Sequence, residues 1–155
     1  MSMAVLRIVT GIVPDQPTAN SNIYPRIVLE RVIKHFNIRA KNKPIYGSEI
    51  NPLHVEHIKK PTHTTNCLFL NESDMLSAEI ETLDTEEGKA LLGKIARSDG
   101  VVARPIMCVP TYVDVLKKQK KDGPLSITDV HSIVRVQVEC NEKHAEDHQQ
   151  NNHGG

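Results

Sequence analysis

Histidines and serines are the residues of this chain whose types and spacing could do chemistry. His54, His57, His63 and Cys67 place four candidate metal ligands within fourteen residues. A helical zinc site of the His-Glu-x-x-His type relies on i, i+4 spacing to put both imidazoles on one face. Here His54-Val55-Glu56-His57 has the shorter spacing, and Pro52 and Pro61 flank it, so any helix is short. Solvated loop histidines with no metal ion are the expectation. His144, His148 and His153 sit among polar, low-complexity residues and carry no metal expectation either. Ser48 and Ser98 are the candidate nucleophiles. A serine attacks only when a base lies within hydrogen-bond reach and a third group orients that base. Ser98 precedes Asp99-Gly100 and reads as a solvated residue at a helix end, while His131 could orient a base but has no pair to serve. No catalytic set is therefore expected.

The elements that must position these residues follow from periodicity. Residues 4–13 put Leu6, Ile8, Thr10 and Ile12 on one face and Val5, Arg7 and Val9 on the other, which predicts a strand. Pro25 opens a helix in which Leu29, Val32, Ile33 and Phe36 recur at helical spacing, about three turns ending near Asn37. Residues 38–65 are polar and rich in Lys, Pro and His, predicting a long loop with a short strand or turn. Residues 67–70 and 75–83 predict a hairpin closed by Asn71-Glu72-Ser73-Asp74. Thr85 is an N-cap for a second helix carrying Glu86 and Glu87 at its positive end, Lys94 and Arg97 at its negative end, and Asp99-Gly100 as its stop. Residues 101–109 form a strand interrupted by Pro105, bulged or near an edge. Residues 127–139 form the last strand, with Val134, Val136 and Val138 opposite Arg135, Gln137 and Glu139.

Composition excludes several classes. Lys and Arg total 19, as do Asp and Glu, so the net charge is zero and no specific nucleic-acid partner is expected. A 39% hydrophobic content with only 3% aromatics and no Trp predicts a core of Val, Ile and Leu. Cys67, Cys108 and Cys140 have no CxxC spacing and are expected to be reduced, the first two as small hydrophobes on strands. No stretch approaches the roughly 20 apolar residues of a membrane span, and no signal-like start is seen, so a protein made and used in a cytoplasm is expected. Residues 1–140 read as one globular domain and residues 141–155 as a polar tail ordered only by a partner.

Three segments together resemble the prohead (capsid maturation) proteases of tailed phages, which share the herpesvirus assemblin-like fold. Asn20 to Tyr24-Pro25, before the first helix, is similar to that family's Asn-x-x-x-x-Tyr-Pro opening. Gly47-Ser48-Glu49-Ile50-Asn51-Pro52 resembles its Gly-Glu-hydrophobic-Asn-His-Pro motif, with the histidine missing between Asn51 and Pro52. Residues 89–104 resemble its helix, turn and nucleophile strand, with Val102 and Ala103 where the reactive serine belongs.

The resemblance implies an α+β fold, a small, mostly antiparallel β-barrel or sheet with two to three helices, in a catalytically degenerate member of the family. It implies a non-enzymatic virion protein that decorates or cements the capsid shell, with no cofactor, the major capsid protein as partner and a homo-oligomer as a further association. The expected contacts are Val5, Leu6 and Ile8, then Lys59 and Lys60 in the loop from Lys41 to Thr65, then His144 and His148 in the tail. Two alternatives stay open: an active maturation serine protease with non-standard residues, and an internal scaffold-core component.

Overall fold

The computed structural model describes residues 4–18, 22–50, 60–109, 125–126 and 130–142. Its strands are β1 (Val5–Val9), β2 (Asn22–Ile23), β3 (Tyr46–Gly47), β4 (His63–Leu70), β5 (Leu76–Thr82), β6 (Ser98–Cys108), β7 (Leu125–Ser126) and β8 (Ser132–Glu142). Two helices, α1 (Arg26–Asn42) and α2 (Glu86–Arg97), complete the described elements. The ladders fall into a four-stranded sheet ordered β1-β5-β4-β3 and the pairs β2-β7 and β6-β8. All are antiparallel except β2-β7. The fold is α+β and mostly antiparallel. It is not a closed barrel: β6 approaches β1, but no ladder joins them among the described residues.

Alternation sets the faces of the four-stranded sheet. Ile8, Thr10 and Ile12 from the first segment and Leu76, Ala78 and Ile80 from β5 are buried, while Val5 and Val9 remain 54% and 41% exposed on the other face. Helix α1 covers the inner face with Val28, Leu29, Val32 and Phe36. Its Asn37 accepts from the Leu68 N–H at 2.8 Å and donates to the Leu68 carbonyl at 3.0 Å, which ties the helix to β4. At its start, Arg26 pairs with Asp74 in the hairpin turn. That turn is the expected one, Asn71 Oδ1 accepting from the Ser73 and Met75 amides.

Several boundaries differ from the sequence expectation, each for a local reason. Helix α1 runs past Asn37 to Asn42. The apolar stripe ends at Phe36, but Arg39 donates to the Ile133 and Val134 carbonyls at 2.7 and 2.9 Å and pins the extra turn to β8. The expected 38–65 loop therefore contains the end of a helix, β3 and the start of β4. Helix α2 begins as expected, with the Gly88 N–H donating to Thr85 Oγ1 at 3.0 Å, but it ends at Arg97. Asp99 is instead an extra residue within β6, because Ser98 and Gly100 pair with the successive residues Glu142 and Asn141. Pro105 pairs in register with Val136 on an edge strand, and the second irregularity falls just beyond it. There Met107 pairs with Ile133 and Ile106 with Arg135, which makes Val134 the extra residue of β8. Ile133, Val136 and Val138 thus share the core face, and Val134, expected alongside them, is 38% exposed. The last strand also reaches Glu142, past the expected boundary at Glu139.

All three cysteines are free thiols, but Cys108 is exposed at the end of β6 and is not a buried hydrophobe. Among the described residues no helix is long and apolar enough to cross a membrane.

Candidate functional site

The segment singled out by its resemblance to the histidine motif joins the two larger ladders. Its first half belongs to β4: the Thr65 N–H donates to the Ile45 carbonyl at 3.0 Å and the Thr62 N–H to the Gly47 carbonyl at 2.9 Å. Its second half belongs to β8: the Val138 N–H donates to the Ser48 carbonyl at 3.1 Å, and the Ile50 N–H to the Val138 carbonyl at 2.8 Å. Glu49 and Val138 thereby form a parallel bridge. On the far side of β8, Val138 pairs with Ala103. The motif-like segment and the nucleophile-like strand therefore flank β8, about two strand spacings or 10 Å apart.

Gly47 sits at the point of closest approach. A Cβ there would lie 2.1 Å from the Val136 carbonyl oxygen and 2.5 Å from His63 Nε2. His63 is fully buried. Its Nε2 lies 2.9 Å from the Val136 carbonyl, and its Nδ1 lies 2.7 Å from Thr62 Oγ1. A carbonyl only accepts, so Nε2 carries the proton and Nδ1 accepts from the Thr62 hydroxyl. Burial lowers the imidazole pKa below its ordinary value, against a smaller upward pull from the Val136 carbonyl. His63 is thus a neutral structural group, with neither ring nitrogen free to act as base or ligand.

Both serines are also engaged. The Ser48 N–H donates to Gln137 Oε1 at 2.8 Å and Gln137 Nε2 donates back to Ser48 Oγ at 3.0 Å. Ser98 is not simply solvated, since its hydroxyl donates to the Lys94 carbonyl at 2.6 Å. Next to Ser48, Glu49 accepts from Lys94 at 2.8 Å, with side chains only 15% and 32% exposed. Removing one partner of a half-buried pair leaves the other desolvated. Glu49→Ala is therefore expected to lower stability by about 1–3 kcal/mol, read as a shift in urea midpoint at constant slope. At the nucleophile-like position Ala103 is fully buried and Val102 partly so. Neither side chain carries an attacking atom.

Of the four candidate metal ligands between His54 and Cys67, His63 and Cys67 fall among the described residues. A bulge in β4 makes Asn66 an extra residue between Thr65 and Cys67. The inner face then carries His63, Thr65 and Leu68, while Asn66 bonds Glu79 and Glu81 on the outer face. Cys67 lies on that outer side, near Glu79 and Arg7. Burial first, and then Glu79, raise its pKa, with Arg7 acting against them. His63 and Cys67 therefore point to opposite faces and cannot share an ion. No group of metal-ligating side chains occurs among the described residues. His54, His57 and Asn51-Pro52 lie outside the described residues, as do Lys59, His144, His148 and His153. His131 is exposed ahead of β8 and touches neither serine in any described bond.

Of the expected contact residues, Val5 is exposed, Leu6 half-buried and Ile8 only 6% exposed in the core. Ile8 is therefore unavailable to a partner, and the accessible face of β1 is Val5, Arg7 and Val9. Lys60 is exposed and lies 3.7 Å from Glu87. Gln137 and Lys94, which hold Ser48 and Glu49, were not marked by sequence. Gln137 belongs to the polar alternation of β8 and Lys94 to the end of α2, and neither pattern names a partner from a distant segment.

No protein-family model matches the chain, and no curated protein matches it in sequence. Among solved structures it is similar to the bacteriophage T4 capsid assembly protease, gp21, with a TM-score of 0.63 at 12% identity. The match covers 87% of this chain and 80% of that one. The fold is prohead-protease-like. At that identity the likeness concerns backbone architecture, and the side chains described above are particular to this chain.

Proposed function

We propose that this chain is a non-enzymatic capsid-associated protein of a phage, a prohead-protease-like scaffold that binds and stabilises the shell without cutting it. The observation that carries the reading is Ala103. It occupies the nucleophile-like position fully buried and paired to Val138, with no hydroxyl to activate. Among the described residues, the serines and the histidine weighed as catalytic candidates are bonded elsewhere: Ser48 to Gln137, Ser98 to a backbone carbonyl, His63 to Thr62 and Val136. A base with both ring nitrogens bonded and a lowered pKa supplies no proton acceptor at a serine. The partner in this reading is the major capsid protein, and the exposed face of β1 with Val5 and Val9 is one contact surface.

The rival reading, an active maturation protease with non-standard residues, draws on the protease identity of the T4 structural neighbour. One experiment separates them. The purified protein is incubated with assembled capsid shells and, separately, with denatured capsid and scaffold proteins. Co-sedimentation with shells and intact substrate bands are expected. Cleavage abolished by Ser48→Ala or Ser98→Ala would overturn the non-enzymatic reading. Near absence from mature virions, by copy counting, would favour an internal core component.

A further inference from the structure

A second surface, adjoining the Gly47 junction through Ile45 and Tyr46 but open to solvent, has a chemistry of its own. A groove of about 430 Å³ opens where the end of α1 meets β8, lined by Arg39, Lys43, Ile45, Tyr46, Val134 and Arg135. Its floor is apolar. Ile45 is buried, whereas Val134 is turned outward by the β8 bulge and Tyr46 is 50% exposed. Its rim is basic: Lys43 and Arg135 are exposed, and neither forms an ion pair among the described residues. From Lys34 to Lys43 the chain carries Lys34, Arg39, Lys41 and Lys43 and no acid, although the net charge of the whole is zero. The groove is also preorganised, because Arg39 is held by two β8 carbonyls and lies over the Phe36 ring at 5.5 Å.

We propose that this groove docks an acidic, extended peptide segment of a partner protein. Its carboxylates would meet Lys43 and Arg135, and one aliphatic side chain would rest on Ile45, Val134 and the Tyr46 ring. Charge complementarity selects the occupant: a basic rim around an apolar floor rewards alternating acidic and aliphatic residues. Single-stranded nucleic acid fits less well, because such sites stack successive bases on several aromatics and this groove offers Tyr46 alone. The inference depends on the groove's own residues and is independent of the capsid reading.

The test uses a short fluorescein-labelled peptide of alternating Glu and aliphatic residues. A Gln-for-Glu version and a labelled oligothymidylate serve as comparators, all read by anisotropy against the full chain. Saturable binding of the acidic peptide is expected, weaker as salt rises. It should fall about tenfold in Lys43→Glu/Arg135→Glu and less in the milder Lys43→Gln/Arg135→Gln. Both positions are exposed, and unchanged circular dichroism and melting temperature identify folded variants. No binding of the acidic peptide, binding equally strong with the Gln peptide, or binding indifferent to both variants would overturn the proposal. Tighter binding of oligothymidylate lost in the same variants would reassign the groove to nucleic acid. Self-association in sedimentation, abolished by the double variant, would reassign it to a second copy.

Discussion

Gly47→Ala is expected to destabilise the protein by about 3 kcal/mol, near the upper end for overpacking by one methyl group. The added carbon would meet the Val136 carbonyl oxygen at 2.1 Å and His63 Nε2 at 2.5 Å. Neither neighbour is the loose end of a flexible side chain. The carbonyl belongs to the central strand of the junction and already accepts from His63. The imidazole is fixed at both nitrogens, so relief requires moving β8 away from the motif-like segment and weakening the bonds at Ser48 and Ile50. Urea denaturation measures the loss. Gly93→Ala is the internal control: its new carbon meets only Arg97 Nη1 at 3.4 Å within α2, and helix propensity predicts a gain of about 0.5–1 kcal/mol. A Gly47→Ala protein as stable as wild type would show that the close approach is absent.

Replacing His63 is the second large effect. His63→Ala removes a fully buried ring, opens a cavity and leaves Thr62 Oγ1 and the Val136 carbonyl without their partners. The expected loss is about 3 kcal/mol or more. The same residue makes stability depend on pH, and the sign follows from its lowered folded-state pKa. Unfolded, the imidazole titrates near its ordinary ~6.5. Below that pH the unfolded chain binds more protons than the folded one, so its stability contribution is complete above about 6.5. It declines as pH falls from there toward the lower folded-state value, with a slope of at most about 1.4 kcal/mol per pH unit. Urea midpoints measured between neutral and mildly acidic pH should follow this decline in wild type. His63→Gln should flatten that component, and a profile unchanged by His63→Gln would show that another group sets the acid sensitivity.

What the sequence disclosed, and what it hid, divides along the range of the interactions. The Asn71–Asp74 hairpin turn, the Thr85 cap and the start of the first strand are encoded within a few residues and are legible, although that strand ends at Val9, short of the expected Val13, because the chain bends at Gly11 with φ 85°. The end of α1 is not legible, because Arg39 gains its partners from β8, 94 and 95 positions away. The face of Val134 on β8 differs from the alternation for a related reason: strict alternation fails wherever an extra residue enters a ladder. His63, expected as a loop histidine, is buried on β4, and the extra residue at Asn66 turns Cys67 to the opposite face of that strand. At the candidate site the composition of positions 47–50 and 102–103 was visible. Its binding pattern was not, since Gln137 and Lys94 are ordinary residues until the chain returns to Ser48 and Glu49.

The crossing of residues 45–50 from β4 to β8 also orders the folding reaction. Ser48 meets Gln137 across 89 positions, whereas the β4–β5 hairpin closes between Leu70 and Leu76, only 6 apart. The logarithmic growth of loop entropy makes the longer closure less favourable by about 2.4 kcal/mol. Local pairing in the first sheet therefore precedes the junction, and Gly47 meets its narrow slot only after β8 has found its place beside β3 and residues 48–50. Contacts made that late govern how fast the native state comes apart more than how fast it forms. A substitution at Gly47 should accordingly shorten the lifetime of the folded protein while leaving its refolding rate nearly unchanged.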